Sequence, residues 1–219
     1  MKVEPETREP RTCRFGPLVV AYDERVIAPR PWTEAQSRWS AEIAAAAPPG
    51  PMLELCAGAG QIGLLAAVLA DRDLVQVEAD PVAARYAREN AARAGFDERV
   101  AIRSCDLDDA VGPGERFAVV IADPPYLPSD HVASWPTDPP GAIDGGADGL
   151  RVVRSCLAII DGHLMEQGTA ILQVWGERQA RQVSELASSS HPGLVVGELR
   201  VEDEDRALLA LLREPANAG

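Results

Sequence analysis

Asp123-Pro124-Pro125-Tyr126 leaves the end of an apolar run, 117–122, and is dense in hydrogen-bond acceptors. The two prolines fix φ and delete two backbone donors. Their carbonyls are left free to accept bonds from an incoming N–H group. Asp123 adds a side-chain acceptor, and Tyr126 offers a flat face to a planar amide or base. This set suits an sp² nitrogen, which is a poor nucleophile because its lone pair is delocalised. Acceptors on its protons draw it toward tetrahedral geometry as an electrophilic carbon approaches, and the proton leaves during or after transfer. Holding nitrogen, carbon and leaving atom in line supplies much of the remaining rate. Asp123, Pro124, Pro125 and Tyr126 are the candidate catalytic residues.

A second constellation is Leu53-Glu54-Leu55-Cys56-Ala57-Gly58-Ala59-Gly60-Gln61-Ile62-Gly63. It follows a predicted strand and opens a predicted helix. Gly58 and Gly60 allow a sharp turn and a close backbone approach to a ligand. Glu78 ends the next strand 20 residues after Gly58, where an acid can accept from both hydroxyls of a ribose. Glu54 separates two ligand classes. An acid just before the glycines opposes a pyrophosphate but suits the ammonium of an amino-acid ligand, which favours S-adenosylmethionine over a dinucleotide. Asp106, after the third strand, is placed to accept from an adenine amino group.

The elements that must carry these residues alternate along the chain. Strands are expected over 51–56, 74–78, 100–103, 117–122 and 170–175, with helices over 61–70, 81–94, 150–165 and 177–188. Such alternation implies a mostly parallel sheet covered on both faces. Two last strands, 194–201 and 206–213, flank the acidic turn Glu202-Asp203-Glu204-Asp205. They are joined too tightly for a crossover and must pair antiparallel. Upstream, 15–27 reads as a hairpin turning at Asp23-Glu24, and 28–32 as an extended connector. Thr33 is expected to cap a helix running to 47. Residues 1–12 read as a loose arm. The expected division is an N-terminal arm with hairpin and helix over 1–47 and a catalytic domain over 48–219.

Composition bounds the setting. The chain has 219 residues, 46% of them hydrophobic, and a net charge of −13. No apolar run approaches the roughly 20 residues of a membrane span, and the charged first ten residues are no secretory signal. The expected location is cytoplasmic. The net charge repels nucleic-acid phosphates over long range. The 4 cysteines are widely spaced, so buried free thiols are expected rather than a metal site or disulfide framework. Lys2 is the only lysine; the 21 basic residues are otherwise arginine.

Taken together, the motifs resemble class I methyltransferases carrying [Asn/Asp]-Pro-Pro-Tyr. More narrowly, the chain is similar over about 15–213 to the HemK/PrmC family, which methylates a glutamine side-chain nitrogen in release factors. Three features carry the narrower match: Arg30-Pro31-Trp32-Thr33 before the first helix, Pro128-Ser129-Asp130 after the acceptor loop, and Ile143-Asp144-Gly145-Gly146-Ala147-Asp148-Gly149-Leu150 before the next helix. The resemblance implies a seven-stranded, doubly wound, Rossmann-like sheet and S-adenosylmethionine as cofactor, S-adenosylhomocysteine being the product. It assigns Glu54, Gly58, Gly60, Glu78 and Asp106 to the cofactor, with Thr33, Cys56, Ala57, Gln61, Ala79, Leu107 and Asp123 beside it. Two positions depart from the family: Asp123 stands for its usual Asn, and Cys56 for a glycine. Compact relatives work with a small partner subunit, so the resemblance implies a partner of that kind.

Two functions compete, the first being what the resemblance implies. One is N-methylation of a protein glutamine; the other is N-methylation of a nucleobase or a small metabolite. The acidic charge weighs against long nucleic acids. A cofactor-binding scaffold has no need of Asp123, and a dehydrogenase would need a substrate domain for which little chain remains. Trp135-Pro136, beyond the acceptor loop, reads as a lid over the acceptor or as packing.

Overall fold

The computed structural model describes residues 10–213; residues 1–9 of the expected arm lie outside the described residues. The chain runs through β1 (Arg11–Phe15), β2 (Leu18–Tyr22), α1 (Glu34–Ala46), β3 (Met52–Leu55), α2 (Gln61–Ala70), β4 (Leu74–Glu78) and α3 (Pro81–Arg93). It continues through β5 (Val100–Ser104), β6 (Phe117–Ala122), α4 (Arg151–His163), β7 (Leu164–Val174), α5 (Gly176–Ser190), β8 (Leu194–Val201) and β9 (Ala207–Arg213). Seven strands form one sheet in the order β5-β4-β3-β6-β7-β9-β8. β3 to β7 are parallel, and β9 runs antiparallel to both β7 and β8. Among the described residues no helix is long and apolar enough to cross a membrane.

The central strands explain themselves. Every residue of β3 (MLEL) and β6 (FAVVIA) is buried, as a strand covered on both faces requires. Alternate side chains feed two cores. Leu53, Leu55, Val120 and Ala122 pack with Val153, Leu157 and Ile160 of α4 and Val183 of α5. Met52, Val119 and Ile121 pack on the other face with Phe15, Val20, Leu64, Leu65 and Tyr86. A smaller cluster joins Trp39 of α1 to Ile171, Leu208 and Ala210. Each such aliphatic or aromatic side chain stabilises the fold by about 1.5–3 kcal/mol through burial.

Several boundaries depart from sequence expectation. The hairpin pairs Arg11–Phe15 with Leu18–Tyr22 and turns at Gly16-Pro17, not at Asp23-Glu24. Asp23 is fully buried instead: it accepts from the Tyr86 hydroxyl at 2.9 Å and from the Arg25 N–H at 2.9 Å, and pairs with the Arg25 guanidinium. That knot bends the chain away from strand geometry: the Val26 N–H donates to the Asp23 carbonyl at 3.1 Å, and 26–27 lie outside the strands. Thr33 is not a helix cap. Pro31–Thr33 forms a 3₁₀ turn in place of an extended connector, Thr33 has helical angles (φ −71°, ψ −6°), and its hydroxyl donates to the Arg30 carbonyl at 2.9 Å. The helix expected to reach 165 stops at His163, because β7 begins at once. A register shift between Phe117 and Val119, with Gln167 at φ 62°, absorbs the polar stretch that reads as loop. All four cysteines are free, but only Cys156 is fully buried.

Candidate active site

Strand order reverses between β3 and β6, so the chain leaves their carboxyl ends in opposite directions and opens a crevice. Their register sets Leu55 beside Ala122. Cys56, which starts the glycine turn, and Asp123, which starts the acceptor loop, therefore step off the same edge side by side. A cleft of about 1010 Å³ lies across this edge. Of the expected residues, Thr33, Cys56, Ala57, Gly58, Gln61, Glu78, Ala79, Asp106, Leu107 and 123–126 all line it; Glu54 and Gly60 do not.

Glu78 reaches across to the turn. Its Oε2 accepts from the Gly58 N–H at 2.6 Å and its Oε1 from the Asp80 N–H at 2.8 Å. Burial raises its pKa, against these backbone bonds. A Cβ on Gly58 would meet only Ile27, at 3.9 Å, so this position is open toward the cleft. Cys56 holds φ 58°, the left-handed region, which explains why glycine is usual there. Gln61, the first residue of α2, is buried at the cleft wall with its Oε1 unpartnered.

Glu54 stands behind the turn. It is 2% exposed, accepts from the Gly63 N–H at 2.9 Å and from Gln76 Nε2 at 2.6 Å, and burial lifts its carboxyl to about 8. A Cβ on Gly63 would sit 2.3 Å from its Oε2. The third glycine of the motif thus makes room for this carboxyl, and the expected direct contact of Glu54 with a ligand ammonium is replaced by support of α2 from below.

Among the described residues no hydrogen bond reaches the Asp123 carboxyl, which faces the cleft half-buried, and burial lifts it to about 7. Burial also raises the pKa of the Tyr126 hydroxyl. The glycine-rich segment at 143–150 is the back plate of this loop. Leu127 N–H donates to the Ile143 carbonyl at 3.0 Å, Gly145 N–H to the Leu127 carbonyl at 2.8 Å, and Ser129 N–H to the Gly146 carbonyl at 3.0 Å. A Cβ on Gly149 would lie 2.5 Å from the Tyr126 carbonyl oxygen.

The mouth of the cleft holds Trp32 and Trp135, which the sequence singles out, together with Trp175, Arg206 and Asp138, which it does not. Arg30 pairs with Asp138, and Arg206 with Asp203. Both guanidiniums lie over Trp32, 5.5 and 4.6 Å from its ring centre. Trp175 Nε1 donates to Asp205 Oδ1 at 2.8 Å, and Trp135 is 41% exposed on the rim. The Arg30–Asp138 pair spans 108 residues and Arg206 reaches back to Trp32, so no local pattern announces these two contacts.

A family model described as "Conserved hypothetical protein 95" matches residues 36–134. The ribosomal protein uL3 glutamine methyltransferase of Burkholderia pseudomallei is 34% identical over 142 residues, 59% of this chain and 46% of that protein. The release factor glutamine methyltransferase of Rhodospirillum rubrum is 33% identical over 224 residues, 95% of this chain and 66% of that protein. The chain belongs to the HemK/PrmC-like methyltransferases. It spans 46%, 55% and 48% of three uL3-methylating relatives, about half their length. Solved structures place this HemK/PrmC-like chain in the Rossmann-like methyltransferase fold. The ribosomal protein L11 methylase of Lactobacillus delbrueckii subsp. bulgaricus superposes with a TM-score of 0.63 at 15% identity, covering 86% of this chain and 81% of its own. A methyltransferase from Pyrococcus furiosus gives 0.67 at 17% identity and 90% coverage of each chain.

Proposed function

We propose that the chain is an S-adenosylmethionine-dependent N-methyltransferase that modifies the side-chain amide nitrogen of a glutamine in a protein. One observation carries this reading: the β3–β6 register sets the glycine turn and the Asp-Pro-Pro-Tyr loop side by side on one cleft edge. Relatives named for glutamine methylation of uL3 and of release factors support the acceptor class.

The residues fit such a cofactor. Glu78 keeps lone pairs beyond its two backbone bonds for ribose hydroxyls. Asp106 and Leu107 stand beside it for an adenine, and the unpartnered Gln61 Oε1 and open Gly58 accommodate a polar ligand at the α2 start. When bound, the cofactor supplies an electrophilic methyl group. Asp123 accepts one N–H of the acceptor amide, a proline carbonyl accepts the other, and Tyr126 stacks on the amide plane. This orients the nitrogen lone pair toward the methyl. Asp123, ionised, is the group placed to hold the departing proton.

Residues 1–47 are proposed to act as an arm that closes the cleft through Arg25, Ile27, Arg30 and Trp32, with 48–219 as the catalytic domain. A cytoplasmic protein acceptor reaches the loop past the Trp135 rim. The test is a labelled-methyl transfer assay against release factor, ribosomal proteins, ribosomal RNA and small metabolites, with peptide mapping of the label. Label on a glutamine nitrogen is expected. Label on RNA or a metabolite alone would replace the acceptor and leave the cofactor assignment in place.

A further inference from the structure

A loop built on two prolines has few donors of its own, and its outer carbonyls must be fixed from elsewhere. Two buried glutamines do so. Gln36, in the first turn of α1 and fully buried, donates Nε2 to the Ala122 carbonyl at 2.9 Å and to the Ile171 carbonyl at 3.2 Å. The Ala122 carbonyl belongs to the peptide plane that delivers the Asp123 N–H. Gln179, in the first turn of α5 and 4% exposed, donates Nε2 to the Tyr126 carbonyl at 2.8 Å and to the Gly149 carbonyl at 3.4 Å. Its Oε1 accepts from the Trp175 N–H at 2.7 Å. The next peptide N–H, of Leu127, is held by Ile143. Residues 123–126 are thus pinned at both ends, while the Asp123 carboxyl faces open cleft.

Gln36 holds its end at a cost. Its Oε1 is buried with no partner, and an unpaired buried acceptor destabilises the fold. Against that cost stand the two bonds its Nε2 donates, one of them to the carbonyl that immediately precedes Asp123. Gln179 reaches Tyr126 only because Gly149 lacks a side chain: a Cβ there would lie 2.9 Å from Gln179 Nε2.

We propose that Gln36 and Gln179 are positioning residues for methyl transfer: they clamp the acceptor loop from α1 and α5 and so set where the nucleophilic nitrogen sits. The inference rests on the methyltransferase reading, and its test has one arm that does not. Gln179→Glu keeps the acceptor for Trp175 N–H and removes the donor to Tyr126, since a carboxylate cannot donate. Gln36→Met preserves length and removes both donors together with the orphaned acceptor. In the full chain, the readouts are amide hydrogen exchange at Leu127, S-adenosylhomocysteine affinity by calorimetry, melting temperature, and kcat and KM for the acceptor.

Leu127 exchange in Gln179→Glu is expected to rise about tenfold. Acceptor kcat/KM should fall about tenfold or more in both variants, because small misplacements at a reacting centre are costly, with cofactor affinity within about twofold. In Gln179→Glu, the deficit relative to wild type at the same pH should narrow as pH falls and the carboxyl regains a proton to donate. Unchanged Leu127 exchange with unchanged kinetics overturns the clamp. So does a parallel loss of cofactor affinity, acceptor kinetics and melting temperature, which would make the glutamines merely structural. If the wild-type chain transfers no methyl group to any acceptor, the functional reading fails, and the exchange arm still decides the clamp.

Discussion

At the scale of single residues, Asp123 makes the sharpest claims. Its carboxyl is lifted by burial from 3.8 to about 7, yet the role proposed for it needs the ionised form. Methyl transfer is therefore expected to rise with pH through about 7, as a kcat/KM profile would record. Asp123→Asn restores the amide usual in the family and should flatten that profile; a profile that keeps its inflection in this variant assigns it to another group. Stability has the opposite sign. A raised folded-state pKa contributes stability that is complete below the unfolded value and is lost as pH rises through the folded one. Asp123→Asn should then gain more melting temperature over wild type at pH 8 than at pH 5, by a few degrees. Gly149→Ala, whose Cβ would fall 2.5 Å from the Tyr126 carbonyl at a φ of 73°, should lower acceptor kcat/KM by about tenfold or more and leave cofactor affinity near wild type.

At the scale of elements, the glycine turn, β4 and α3 were legible because each rests on local rules. Gly58 and Glu78 stand 20 residues apart, and the helix expected over 81–94 forms over Pro81–Arg93. What stayed hidden depends on distant partners. Nothing near Glu54 in sequence says that it turns inward to Gly63 and Gln76, and nothing near Asp23 says that Tyr86 will bury it. The hairpin was misplaced for that reason, although Gly16-Pro17 carried the turn chemistry. The glycines at 143–150 are recognisable as a pattern, but their purpose, making room behind the acceptor loop, depends on the distant Tyr126 and Pro125 carbonyls they face. The Glu54 assignment is testable through stability. Glu54→Ala leaves Gln76 Nε2 and Gly63 N–H without this buried partner, and should cost about 2–3 kcal/mol in urea unfolding. Glu54→Gln, which can still accept, should cost less and lose the pH dependence tied to a carboxyl near 8.

At the scale of the molecule, the alternation of strands and helices was enough to foresee a parallel sheet with an antiparallel end. Its residues meet at one edge because the chain order reverses between β3 and β6. At the cleft mouth Trp135 is legible as a lid candidate, but its meeting with Trp32, Trp175, Arg30 and Arg206 is not, since four separate segments build it. A ligand that binds only the folded state adds about 2.7 kcal/mol at 100 times its Kd. S-adenosylhomocysteine at that excess should therefore raise the melting temperature by about 5–10 °C, and NAD by nothing measurable. The division of labour across the edge is tested most directly by calorimetric titration of S-adenosylhomocysteine into wild type, Glu78→Ala and Asp123→Ala, each also assayed for methyl transfer. Glu78→Ala should lose cofactor affinity by about tenfold or more, whereas Asp123→Ala should bind like wild type and transfer no methyl group. Wild-type binding of NAD but not of the sulfur ligand, or turnover in Asp123→Ala equal to wild type, would contradict it.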